Sequence, residues 1–186
     1  MVSMKKGFTL AETMVALGVF VIAVGGIVGI FVIASSAHRK SAIGERVRHD
    51  ARTVLEAIET DMRIGIPDYA AYGGSAPTTG TDTLRLRDED ANAIVYQLQT
   101  VSANCVGASA PCLTRQISGG PAVPITSFGV TVQNAAFYIF PATNPYPGGT
   151  NQPKVAIVLT LQSTEDAPNQ VTLNLQTAAS SRYYGP

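Results

Sequence analysis

Chemistry-bearing residues are scarce in this sequence, which has two histidines and two cysteines among 186 residues. His38 and His49 fall within one expected helix, and Cys105 and Cys112 lie well downstream of it. A zinc site at the cysteine pair would need further ligands, and none lie near it in the sequence. There is no His–acid–Ser order, no HExxH and no phosphate-cradling glycine loop between a strand and a helix, the usual marks of hydrolytic or phosphate chemistry. Carboxylate pairs such as Asp88 with Asp90 read as surface groups, and Glu165 with Asp166 falls short of the roughly six to eight oxygens that calcium takes. No catalytic residue, metal or cofactor is expected, and so no enzyme. Charge is scarce too, at 14% against about a quarter in ordinary soluble domains. The formal net charge is zero, so no basic field exists to hold nucleic acid. The charge deficit is local: between Phe8 and Ala37 the only charged residue is Glu12. Proline is absent until Pro67, so nothing of that kind interrupts a helix in the first third of the chain.

What is there begins with a short basic patch, Lys5 and Lys6, followed by an apolar run from Val15 through Phe20, Ile27 and Phe31 to Ile33. A spanning helix needs about 20 apolar residues, and residues 13–37 supply them. The lysines should stay in the cytoplasm, with the rest of the chain exported. A secretory signal peptide competes with this assignment, but its apolar core is shorter, about 7–15 residues. An uncleaved signal anchor has the same hydropathy. Glu12 separates these alternatives. An acidic group at the centre of a spanning helix costs roughly 2.5–3.5 kcal/mol, less near the end, and is by default functional. The bland alternative is a carboxylate that snorkels to the headgroup level. A partner exists if the chain is cut between Gly7 and Phe8: the new α-amine is a cation near neutral pH. It reaches Glu12 of a neighbouring helix displaced by about one turn. Repeated head to tail, such a contact builds an open helical assembly.

Lys5-Lys6-Gly7-Phe8-Thr9-Leu10-Ala11-Glu12, leading into an unbroken apolar helix, resembles the leader and first turn of the type IV pilin and type II secretion pseudopilin superfamily. The resemblance implies that prepilin peptidase, a membrane aspartyl peptidase, cuts after Gly7 and methylates the amine of Phe8. It makes Glu12, the fifth residue of the mature chain, the assembly residue. Partners would be the peptidase, other subunits through the N-terminal helix, and the bacterial inner membrane before assembly. The proline that kinks many major pilins is missing; Gly18, Gly25, Gly26 and Gly29 stand there instead.

Past the membrane segment, Ile43, Val47, Ala51, Val54, Leu55, Ile58 and Met62 recur at spacings of three and four, one stripe of an amphipathic helix. Charged residues from Arg39 to Asp61, including Asp50, fall on its other faces. Ile64-Gly65-Ile66-Pro67 ends the helix, and the loop after it carries Tyr69 and Tyr72 as anchors. Strands are expected at 83–87, 93–100, 113–117, 126–140 (two strands, or one with a bulge near Asn134), 154–162 and 170–177. Val155, Ile157, Leu159 and Leu161 make one face strongly apolar, and Val171, Leu173 and Leu175 match it. The expected class is therefore α+β: a long N-terminal helix, transmembrane then amphipathic, packed on an antiparallel sheet in a type IV pilin-like way. Its parts are a leader (1–7), a transmembrane half-helix (8–37), an amphipathic half (38–64) and an extracytoplasmic β-rich part (65–186). Outside the cytoplasm Cys105 and Cys112 are expected to bond; the alternative is two free thiols. The tail Thr177-Ala178-Ala179-Ser180-Ser181-Arg182 loosely resembles the end of minor pilins and pseudopilins of the J or W type, which implies a low-abundance subunit. A membrane-anchored binding module that never polymerises is the alternative.

Overall fold

The computed structural model describes residue 7 and residues 9–146 and 151–182. Among the described residues the one α-helix, α1, runs Leu10–Ile64. Contacts divide the chain into two units, residues 1–41 and 42–186.

In the first unit every described side chain is exposed, among them Phe20, Ile22, Ile27, Phe31 and Ile33. This part of α1 is long and apolar enough to cross a membrane, and large apolar side chains so fully uncovered call for lipid or protein around them.

In the second unit α1 supplies the amphipathic stripe. Val47, Ala51, Val54, Ile58 and Met62 are buried, with Leu55 packed against them. The helix stops because Gly65 is pinched between backbones. A Cβ there would lie 2.7 Å from the Arg87 carbonyl oxygen and 3.0 Å from that of Asp61, so only glycine lets the chain turn so close.

Eight strands follow among the described residues. β1 (Ile66–Pro67), β2 (Thr83–Arg87), β3 (Ala93–Gln99), β4 (Cys112–Ile117) and β5 (Val123–Pro124) form one antiparallel sheet in chain order. β6 (Val130–Phe140), β7 (Lys154–Ser163) and β8 (Thr172–Ser180) form a second. The β2–β3 turn is held by Asp88, whose carboxylate accepts from the Asn92 backbone N–H at 2.7 Å and its side-chain amide at 3.0 Å. The bulge near Asn134 sits between Val132 and Asn134 against β7. The α+β expectation holds, but with two sheets rather than one. The cause is β5, which takes the outer edge of β4 by pairing Thr114 with Pro124 and Arg115 with Val123. β6 is thus kept from extending the first sheet and instead pairs with β7. Leu84, Leu86, Tyr96 and Leu113 from the first sheet and Val132, Phe137, Ile157, Leu159 and Leu161 from the second bury against the α1 stripe in one core.

Cys105 and Cys112 form a disulfide, with Cα atoms 5.9 Å apart. It closes the loop between β3 and β4, and Pro111 inside that loop accepts a hydrogen bond from the Val132 N–H at 2.8 Å. A crosslink over so short a loop stabilises by about 2–3 kcal/mol through the unfolded chain. Replacing both cysteines by serine is expected to lower the urea unfolding free energy by that amount with little change in slope. An unchanged midpoint would show that the bridge carries no stability.

Candidate functional site

The N-terminal candidates fall partly outside the described residues. Phe8, expected to carry the new amine, lies there, as do Lys5 and Lys6. Gly7 is described and exposed, with nothing within 4 Å of the position a Cβ would take.

Glu12 has a local role that its spacing from Gly7 did not disclose. Thr9 stands just before α1, and its backbone N–H and hydroxyl each donate to Glu12 Oε2 at 3.0 Å. The Glu12 N–H donates back to Thr9 Oγ1 at 3.3 Å. This is a capping box, in which two otherwise unpaired donors of a helix start are satisfied reciprocally. The signal was present as Thr9-Leu10-Ala11-Glu12 ahead of an apolar run, where the same residues were read for their place after a cleavage point. Every atom of the box belongs to residues 9–12, so a cut before Phe8 leaves it whole. Further along, the Thr13 hydroxyl donates to the Leu10 carbonyl and that of Ser36 to the Ile33 carbonyl, each at 2.8 Å. Hydroxyls in a spanning helix satisfy themselves in this way when no water is present.

Asp50 and Asp61 were expected on solvent faces of the helix, and both are buried. Asp61 accepts from Arg115 Nε at 2.8 Å on Oδ2 and from the same guanidinium at 2.8 Å on Oδ1. It also takes the Tyr96 hydroxyl at 2.5 Å. Burial first, and then the hydrogen bond to Asp61, hold the Tyr96 hydroxyl protonated far above the ordinary phenol range. The Asp61 carboxylate also raises the Arg115 guanidinium above its usual value. The set ties the last turns of α1 to β3 and β4. Asp50 does the same for the loop before β6, accepting the Ser127 N–H at 2.7 Å and its hydroxyl at 2.8 Å.

The loop after α1 is anchored by both expected tyrosines. The Tyr69 hydroxyl donates to the Pro141 carbonyl at 3.1 Å. Burial pushes its pKa up to about 12. The Tyr72 hydroxyl donates to the Thr83 carbonyl at 3.1 Å and accepts from the Arg85 N–H at 2.7 Å, so one phenol stands in for a strand partner along β2. Arg87 closes the loop on Asp68 at 3.0 Å. These contacts position the fold. Among the described residues, no three His, Cys, Asp or Glu side chains gather to hold a metal.

No family model matches the chain, and neither a curated protein nor a solved structure is similar enough to be matched.

Proposed function

We propose that this chain is a structural, low-abundance subunit of a type IV pilus or type II secretion pseudopilus. In this proposal prepilin peptidase cuts it after Gly7 and methylates Phe8. It waits in the bacterial inner membrane with its N-terminus cytoplasmic, then joins a filament through its N-terminal helix. Glu12 neutralises the amine of the adjacent subunit. The observation that carries the proposal is the run Lys5-Lys6-Gly7-Phe8-Thr9-Leu10-Ala11-Glu12, set at the start of a helix whose first unit is wholly uncovered and whose later turns bury one stripe under antiparallel sheets. An apolar helix surface of that extent needs either lipid or like helices around it, and a filament core supplies the second.

The capping box favours a second proposal, a membrane-anchored module that does not polymerise. There Glu12 serves only its own helix start. Mass spectrometry of the protein from its native membrane distinguishes the two. The filament proposal requires chains that begin at Phe8 and carry one added methyl mass, and requires a bulky substitution of Gly7 to leave a heavier, uncut precursor. Intact leaders on every copy would end it.

A further inference from the structure

Among the described residues of the second unit, the most exposed large apolar side chains are Val106, at 79%, and Phe128, at 77%. They stand on loops that are tied together. The Gly129 N–H donates to the Ser109 hydroxyl at 3.0 Å, which joins the loop of Phe128 to the disulfide-closed loop of Val106. Both loops lie at the end of the unit where α1 enters it. Ser127 is bound to Asp50, and a Cβ on Gly129 would lie 3.1 Å from the Arg46 guanidinium. The turn between β7 and β8 is at the same end, since the Thr164 N–H donates to the Gly129 carbonyl at 3.0 Å. The far end is marked by Arg115 on Asp61, and from Asp50 to Asp61 α1 climbs about 16 Å. Scattered apolar residues on a surface need no explanation, but the most exposed ones gathered at one end do.

Chain length decides what lies within reach of that end. The apolar run that can cross a membrane ends by Ala37, and the second unit begins at Ala42. The chain from Ala37 to Ala42 spans at most about 18 Å even when fully extended. The end of the second unit that carries Arg46 is therefore held near the bilayer surface whatever angle the two units make. Charge agrees in part. Residues 39–52 hold Arg39, Lys40, Arg46, Arg48 and Arg52 against Glu45 and Asp50, whereas residues 53–63 hold Glu56, Glu59 and Asp61 against Arg63. Glu165 and Asp166, just after Thr164, offset some of that positive charge. The apolar pair therefore leads the contact, and neutral lipid suffices for it.

We infer that this end of the second unit rests on the bilayer that α1 crosses, with Phe128 and Val106 set into the interfacial zone of the lipid. The inference rests on α1 crossing the membrane and on neither functional proposal. It applies alike to a filament subunit before assembly and to an anchored module.

The chain contains no tryptophan, so a single introduced one reports alone. Full-length Phe128→Trp, Val106→Trp, Phe20→Trp and Ile117→Trp chains are reconstituted in vesicles of neutral lipid brominated high on the acyl chains, which quenches indole on contact. Phe20→Trp reports on the spanning run, and Ile117→Trp on the far end of the second unit. Side chains in the interfacial zone enter the headgroup and acyl boundary by about 5–10 Å, so emission at 128 and 106 should shift to the blue and fall by at least about half, with 117 unchanged. Adding Phe128→Asp to the Val106→Trp chain should restore most of the emission at 106; unrelieved quenching there would overturn the part given to Phe128. Quenching at 20 with none at 128 would leave the anchor standing and overturn the docking. Quenching at no position would overturn both. A blue shift at 128 without quenching would put protein there instead of lipid, and equal quenching at 128 and 117 would show no preferred end. Either result overturns the docking.

Discussion

Glu12→Ala chains are expected to insert in the membrane and to be cut after Gly7, yet to be depleted at least about tenfold from filaments. A unit charge pair about 4 Å apart is worth roughly 4 kcal/mol at an effective dielectric of 20, and each 1.4 kcal/mol is about tenfold in association. The capping box complicates that substitution, since alanine removes the helix cap as well as the charge. Glu12→Gln separates the two roles, because glutamine serves the box as well as glutamate does but cannot neutralise an amine. If the proposed pairing drives assembly, Glu12→Gln fails nearly as badly as Glu12→Ala. Thr9→Ala, which loses the hydroxyl half of the box, loosens the helix start by about 1 kcal/mol and still assembles. Wild-type incorporation of Glu12→Gln beside a defective Glu12→Ala would make Glu12 a cap and nothing more.

The second large effect is on stability. Asp61→Ala is expected to cost the second unit about 3 kcal/mol, the lower end of the range for orphaning one partner of a buried ion pair. Arg115 keeps 31% side-chain exposure and so retains some hydration. In detergent the thermal midpoint should drop by about 6–12 °C, at roughly 2–4 °C per kcal/mol for a unit of this size. Tyr96→Phe removes only a hydrogen bond and should cost about 1 kcal/mol. The alanines at 61 and 115 should be strongly non-additive; additive losses would show that the pair is not coupled. The pH dependence has a definite sign. The Tyr96 pKa is raised on folding, so its contribution is complete below the free phenol value near 10 and declines as pH climbs above it.

Most of the fold was legible because it rests on short-range pattern. The stripe from Val47 to Met62 follows helical spacing. β2 at Thr83–Arg87 matches its expected limits, and β7 overruns its own by one residue, at Ser163. Near Asn134 the slip in alternation left either a bulge or a break into two strands, and β6 is one strand with the bulge. β1 and β5 escaped notice because two residues carry no period, and the split into two sheets depends on β5. Asp50 and Asp61 look like any solvent-facing acids on a helix. Their burial is decided by Ser127 and Arg115, 77 and 54 residues away, which no local window contains. Aspartate near a helix C-terminus is unfavourable by itself, and that mismatch was the one hint at Asp61. At the N-terminal candidate the run Lys5-Lys6-Gly7-Phe8 was readable. The Thr9–Glu12 box was equally readable, but the glutamate had already been given another role.

The placement of the core along the chain carries a consequence for biogenesis. The stripe of α1 is synthesised first, while Phe137, Ile139, Val155, Ile157, Leu159 and Leu161, which shelter it, come from the last third. In any chain made from its amino end, these sticky helix turns therefore stay uncovered until translation is almost finished. Such long-range closure is slow, and exposed intermediates of this kind aggregate. Folding of this chain should therefore depend on holding chaperones more than its modest size suggests.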